Sequence, residues 1–495
     1  MLDQPIAYDL RAFRFSLDPT ADQRADLVRH VGAARWAFNH ALARKVAAHE
    51  QWRTEVQALV VSGVDEADAR RQVKVPIPTM PTIQHELKAI RGDDRAGVDG
   101  LCPWWREVSS YAFLSAMMDA DAAFANWLAS LRGVRAGRRV GYPRFKRKGK
   151  SRDSVRLYHN AKKPTIRLVG YRRLLLPRIG SVRLHESGKR LARYLQRTAG
   201  RVQSVTLSRT GTRWYASVLV KAPAPAPVVP TRAQRAAGTV GVDLGVGRLA
   251  TLSTGLEHSY ENPRHARRAA RRLVRAQRAL SRTQRGSGRR ARAITRVADL
   301  HRQVSERRAG VLHQITKRLA TGHDVVAIED LNVAGMTRSA KGTIDNPGKN
   351  VRAKAGLNRS LADASFGEFR RQLTYKTGWY GSRLAVVDRF YPSSKTCSAC
   401  GSVKPKLTLA ERTFRCACGL VIDRDLNAAI NIARAADAPP AAPVAADRAE
   451  TINGRGVRGR PTSNGGRRTA KRQDSGKPEP PRGSDSAALP PVPLS

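Results

Sequence analysis

Apolar and polar residues alternate over positions 7–17 (AYDLRAFRFSL), the period of a half-buried strand, and Asp18-Pro19-Thr20 then stops the strand and opens a helical stretch. The helical period holds to about residue 134, most clearly in SSYAFLSAMMDADAAFANWLASL, where apolar positions recur at helical spacing. Between about 152 and 222 the period shortens again. There RVQSVTLSRTGTRWYASVLVKA predicts a hairpin turning at Thr210-Gly211-Thr212. The pattern therefore predicts a β-rich module, residues 1–24 and 151–222, interrupted by a helical insert with a basic loop, residues 25–150. A Pro/Ala-rich stretch, 223–238, follows as a semi-stiff linker. The next domain, 239–437, opens on TVGVDLGVGRLATLSTG, two strands joined at Gly245-Val246-Gly247. Residues 263–320 predict a helical hairpin turning near Gly286-Ser287-Gly288, and DVVAIEDL a fully buried parallel strand. Residues 438–495 carry hardly any large apolar side chain, so a disordered basic tail is expected. The fold class is multidomain α/β.

Charge changes the picture from architecture to partners. Lys and Arg number 90 against 40 Asp and Glu, a formal net charge of +50 that calls for a polyanion. The excess recurs in every segment, which points to nucleic acid rather than to one sticky tail. In GYPRFKRKGKSRDSVRL, Tyr142 and Phe145 interleave with Arg144, Lys146, Arg147, Lys148 and Lys150. That composition suits a phosphate backbone with bases nearby, and equally a solvated loop with aromatic anchors. The hairpin carries Leu273, Ala276 and Leu280 on one side and little but arginine on the other. Without acidic i,i+4 partners those arginines repel one another, and a phosphate backbone would relieve them. No apolar run reaches about 18 residues, and Asp3 and Asp9 stand where a secretory leader would be basic or apolar. The expected setting is the cytoplasm, at the nucleoid, with no membrane partner.

Two constellations carry chemistry. Four of the five cysteines lie between 397 and 418, as Cys397-Ser-Ala-Cys400 and Cys416-Ala-Cys418 with fifteen residues between the pairs. A four-thiolate tetrahedral zinc site closes at such spacing, against the readings of unrelated free thiols or a redox dithiol. Gly401 and Gly419 follow the pairs and permit tight turns around the sulfurs. With four sulfur ligands the metal has no open position, so its role is structural. Cys102 stands apart, as a buried apolar residue. The second constellation is acidic. Asp243 lies on a buried first strand, Glu329 at the carboxyl end of a parallel strand, and Asp425 in the first turn of a helix opened by DRDLNAAINI. Asp423 suits the helix N-cap, which leaves Asp425 as the metal candidate, with Asn427 and Asn431 as supporting or packing groups. Like charges about 4 Å apart repel by about 4 kcal/mol at an effective dielectric of about 20, so three converging carboxylates need cations. Two Mg²⁺ ions would meet that need and would hydrolyse a phosphodiester in RNase H-like fashion.

These motifs, with YDLRAFRFSLDPTADQ, ARWAFNHAL, YPRFKRKGKSRDSVR, VGVDLGVGRLATLS, VAIEDLNVAGM, YPSSKTCSACG and CGLVIDRDLNAAINIA, resemble nearly end to end the TnpB family, RNA-guided nucleases of bacterial insertion sequences related to Cas12 effectors. The resemblance implies an RNase H-like (RuvC) domain over 239–437 with Asp243, Glu329 and Asp425 as catalytic residues binding Mg²⁺. It implies a zinc ribbon over 393–419 with Cys397, Cys400, Cys416 and Cys418 as ligands. It also implies a β-barrel-like (WED) module carrying a helical (REC) insert, a guide RNA from the transposon end, and double-stranded target DNA cut beside a short adjacent motif. The Pro/Ala linker, the long tail and the one-residue spacing of the second cysteine pair depart from the pattern without touching the acids. A guide-dependent DNA-binding regulator without cleavage, or an accessory transposase, is the alternative; all three acids are present, and no serine or tyrosine nucleophile stands in a recombinase setting.

Overall fold

The computed structural model describes residues 8–437, except 161, 163, 225–227 and 409. The expected disordered tail, 438–495, lies outside the described residues. The amino-terminal half is built on one antiparallel sheet. Its strands are β1 (Tyr8–Asp18), β2 (Ser154–Tyr158), β3 (Arg167–Val169), β4 (Arg173–Leu176), β5 (Gly180–Leu184), β6 (Arg201–Thr210) and β7 (Arg213–Pro223), in the order β2-β6-β7-β1-β5-β4-β3. The ladder keeps two edges, β2 and β3, among the described residues, where the family resemblance implied a barrel-like module. β6 and β7 form the expected hairpin, and Gly211 supplies the positive φ at its turn.

Between β1 and β2 the chain leaves the sheet for a helical insert. Thr20 and Gln23 cap each other's backbone to open the helix Ala21–Val61. That helix packs along the helix Ser110–Leu131, and both lean on β2. Phe13, Phe15 and Leu17 of β1 therefore share one core with Leu27, Phe38 and Leu42 of the first helix and Phe113 and Phe124 of the second. A ten-residue helix, Lys189–Thr198, stands within the stretch expected to hold only short strand-like runs.

The predicted linker is only partly a linker. Residues 232–237 form a helix whose capping box pairs Thr231 with Gln234, and the Gln234 amide is buried, donating to the carbonyls of Ala320 and Tyr380 at 3.0 Å each. A short polar helix gains order there because its side chain satisfies two carbonyls at the ends of larger helices.

The carboxyl-terminal half holds a second sheet of β8 (Thr239–Asp243), β9 (Arg248–Leu252), β10 (Gly255–Glu261), β11 (Val325–Glu329) and β12 (Arg383–Val387), ordered β10-β9-β8-β11-β12. The first three are antiparallel neighbours; β8, β11 and β12 run parallel. Val326 and Ile328 are fully buried because helices cover both faces. Gly288–Gly322 and Phe366–Tyr380 pack Leu312, Ile315, Phe369 and Leu373 on one side. The helix Arg424–Asp437 lies on the other, against β8. Among the described residues no helix is long and apolar enough to cross a membrane.

Candidate functional site

The three acids reach one place by three different devices. Asp243 is the last residue of β8 and Glu329 the last of β11, so parallel pairing brings both to the carboxyl ends of adjacent strands. Asp425 arrives on the helix Arg424–Asp437, which approaches β8 so closely that a side chain at Gly241 would collide with the Ala429 carbonyl. Glycine two residues before Asp243 is therefore what lets the third acid meet the first. All three line a single cleft of about 350 Å³.

Burial, reinforced by the Glu329 and Asp425 carboxylates, pushes Asp243 up to about 8. Arg424 opposes that rise without cancelling it. The carboxylates thus oppose one another's charge, and hard divalent cations fit such an all-oxygen donor set.

The neighbours divide the acids by role. Asp423 caps the helix, accepting from the backbone N–H of Asp425 at 2.9 Å and of Leu426 at 3.1 Å, and its other oxygen meets Arg248 at 3.0 Å. Asp330, beside Glu329 in sequence, turns instead between Arg370 and Arg389, whose guanidiniums hold its carboxyl below the usual range. Ser393 donates its hydroxyl to Glu329. Asn427 and Asn431 are buried packing groups. Both donate to the Thr396 carbonyl at 2.7 Å, Asn431 also to Ser393 O at 2.8 Å, and Asn427 accepts from the Ser398 N–H at 2.9 Å. Ser393, Lys395, Arg412 and Arg424 line the cleft without having stood out in the sequence. Ser393 carries the one readable signal, its place in YPSSK just before the first cysteine.

Cys397, Cys400, Cys416 and Cys418 place their sulfurs within 4.8 Å of one another, with Cys397–Cys418 at 3.7 Å and Cys400–Cys416 at 3.6 Å. A tetrahedron with Zn–S bonds of about 2.3 Å has edges of about 3.8 Å, so the four thiols fit zinc. Each pair sits in a tight turn: Gly401 N–H donates to Cys397 O, Gly419 N–H to Cys416 O, and both glycines have positive φ. Strands β13 (Thr413–Arg415) and β14 (Val421–Asp423) complete the ribbon, and β14 runs straight into the helix that carries Asp425.

The basic segment 141–151 is split in its roles. Tyr142 packs edge-on against Trp127, centroids 4.6 Å apart, and the Lys146 ammonium lies 3.7 Å over the Phe38 ring, where burial lowers its proton affinity. Arg144, Arg147, Lys148 and Lys150 remain exposed. Cys102 is buried, and burial pushes its thiol up to about 11.

Residues 217–340 match a family described as probable transposase, OrfB_IS605; residues 366–432 match the TNB domain of Cas12f1-like proteins, and 10–54 a helix-turn-helix domain. The chain is 36% identical over 443 residues to Rv2885c of Mycobacterium tuberculosis, covering 88% of this chain and 89% of that one. It is 31% identical over 430 residues to InsQ of Escherichia coli, covering 87% and 93%. Both are named as RNA-guided DNA endonucleases. A mimivirus protein named TnpB-like, L79, is 33% identical over 133 residues, 27% of this chain and 23% of that one. The chain belongs to the TnpB family. A solved complex of Cas12f1 with guide RNA and target DNA spans 86% of the chain and 99% of its own at 12% identity and a TM-score of 0.41, too loose a likeness to transfer any residue's role. The TnpB-family segment matched as helix-turn-helix contains no such turn, because β1 leads into the unbroken helix Ala21–Val61.

Proposed function

We propose that this TnpB-family protein is an RNA-guided DNA endonuclease of an insertion sequence, cutting with Asp243, Glu329 and Asp425 in an RNase H-like (RuvC) domain. The observation that carries this reading is the convergence of three carboxylates in one cleft, with Asp243 buried and its carboxyl pushed up by the other two. The sheet order, three antiparallel strands followed by two parallel to the first, supports the RNase H-like assignment. The relatives' names support guidance by RNA and DNA as substrate.

Mg²⁺ held by the three acids supplies, when bound, the Lewis acidity and charge that phosphodiester hydrolysis requires. The chain's own residues do the rest. The ionised form of Asp243, whose carboxyl burial and the two neighbouring acids otherwise push up, would be favoured with Mg²⁺ bound. Ser393 fixes the rotamer of Glu329, and the capped helix N-terminus fixes Asp425. The four cysteines hold structural zinc, and the ribbon sets the entry of Asp425 into the site. The amino-terminal sheet and its helical insert act as the WED-like and REC-like modules that meet guide RNA and target duplex, with the guide drawn from the transposon end. The protein works at the nucleoid.

Asp425→Ala is expected to abolish cleavage of a guide-matched duplex while leaving RNA binding within about twofold of wild type, since it removes a metal ligand and no phosphate contact. Cleavage at the wild-type rate would remove Asp425 from the site. Sequencing of the RNA that co-purifies with the full chain tests guidance: a discrete RNA ending in a variable segment is expected, and its absence from active protein counts against a guide.

A further inference from the structure

We infer that Arg424 grips the phosphate to be cut, supplying the fixed positive charge of the cleft; the inference rests on the cutting site proposed above. Arg424 is the first residue of the helix that brings in Asp425, and its backbone N–H is tied to the Arg412 carbonyl at 2.8 Å. Its side chain is only 14% exposed and lines the cleft. Yet the guanidinium is poorly spent. One arm stands 3.4 Å from the Asp425 carboxylate and another 3.4 Å from the Thr408 carbonyl. Both exceed the roughly 2.7–3.2 Å of a well-made N–H···O bond, and a guanidinium has five donors to place.

Nearby arginines are used differently. Arg248 closes to 3.0 Å on Asp423, and Arg370 and Arg389 close on Asp330, each pair serving to fix backbone or loop. Lys395 is turned to the Pro405 carbonyl at 3.3 Å, and Arg412 is exposed. When cations occupy the carboxylates, the weak pair with Asp425 loses its purpose. What remains is a planar, permanently charged fork at the wall of the cleft, matched to two non-bridging oxygens of a phosphodiester. As the attacking oxygen adds to phosphorus and the leaving oxygen departs, negative charge builds on those oxygens, and a preorganised donor there is worth about 10²–10³ in rate.

The test uses full-length protein loaded with its guide RNA, in single-turnover cleavage at saturating protein. Arg424→Gln should cut about 100-fold more slowly than wild type, and Arg424→Lys should recover part of that, with the Mg²⁺ concentration for half-maximal rate unchanged in both. A second measurement does not depend on cutting: binding, with Ca²⁺ in place of Mg²⁺, to DNA carrying a neutral methylphosphonate at the linkage that wild type cuts. Wild type should bind it several-fold more weakly than ordinary DNA, and Arg424→Gln should bind both alike. Zinc content and melting temperature report folding; should Arg424→Gln lose zinc, Arg424→Lys decides by the same criteria. A wild-type rate in the variants, beside an inactive Asp425→Ala, overturns the inference and leaves the cutting site standing. A shifted Mg²⁺ midpoint with an unchanged maximal rate also overturns it, because Arg424 would then only position Asp425. Cleavage by Asp425→Ala would instead overturn the reading of the site itself.

Discussion

At Asn431 one buried amide holds two carbonyls, Ser393 O and Thr396 O, and one helical turn earlier Asn427 holds Thr396 O and the Ser398 N–H. Arg434, the next turn along, donates to Ser398 O. A single helix face thus clamps the loop that carries both the Ser393 hydroxyl bonded to Glu329 and Cys397, the first of the four clustered thiols. Leaving a buried carbonyl without its donor costs about 1–3 kcal/mol, and here the cost falls on a loop that positions Glu329, one of the proposed catalytic acids. Asn431→Ala is therefore expected to lower stability by about that amount and to slow cleavage about tenfold, with guide RNA binding unchanged. Thermal melting together with single-turnover cleavage checks it; a variant with wild-type stability and rate would mean that the loop is held by other contacts. The shared face of Asn427 and Asn431 was legible from their i,i+4 spacing, but what they grip was not, because their partners are backbone atoms of a loop about 30–40 residues away. Arg424 was hidden for a related reason: between two aspartates it reads as part of a helix start, and only the fold turns it into the cleft.

The elements that matter most for the site were legible in proportion to the strength of their local signal. β8 and β11 are continuous apolar runs ending in an acid, and the cysteine pairs mark their own turns. β12 escaped because RLAVV is short and partly exposed at the sheet edge, and the helix Lys189–Thr198 because its arginines hide a single buried anchor, Leu191. The ribbon is an element with almost no core, only Phe414 fully buried among its strand residues, so under the proposed zinc reading its order would rest on metal binding worth roughly 10–16 kcal/mol. Cys416→Ser should lose zinc and cleavage together while β8, β9 and β11 keep their hydrogen-exchange protection, since their core lies elsewhere. Equal zinc content and activity would contradict a structural role for the four thiols. The arginine hairpin, His265–Ser281 and Gly288–Gly322, makes the opposite case, an element whose outer face waits for a partner. Arg271, Arg275 and Arg278 are exposed and form no ion pair among the described residues. Replacing all three with Gln should flatten the log–log salt dependence of nucleic-acid binding by about 2–3, measured between 50 and 200 mM salt as in roughly the range where counterion release dominates. An unchanged slope would make this face a solvated one.

Across the whole described chain, the two largest hydrophobic cores meet through polar contacts. One core draws on residues of β1 to β7 and the helical insert, the other on β8, β9, β11 and their helices. Where they join, Asp299 on the long hairpin helix accepts from the Thr212 N–H and hydroxyl at 3.0 Å and from Arg302 at 3.3 Å, and Tyr215 bonds Glu306 two turns further along the same face. Gly211 is required at this contact, since a side chain there would strike the Asp299 carboxylate. Arg14 stacks over Tyr215 at 3.8 Å and Arg11 over Trp379 at 3.6 Å. A joint of this kind resists sliding through directional bonds rather than through buried area, so its strength follows the state of a few groups. Burial works to raise the Asp299 carboxyl, but the Thr212 donors and Arg302 outweigh it and hold the group below its usual value. A depressed carboxyl contributes stability that is fully present above the unfolded value of about 3.9 and disappears as the pH falls through the lower folded value. Asp299→Ala is therefore expected to melt earlier than wild type by a constant margin from pH 5 to 8, and that margin should shrink below about pH 4. Two melting transitions in the variant, where wild type shows one, would show the modules parting at this seam. A margin that grows toward acid pH, or none at neutral pH, would mean that Asp299 does not hold the two halves together.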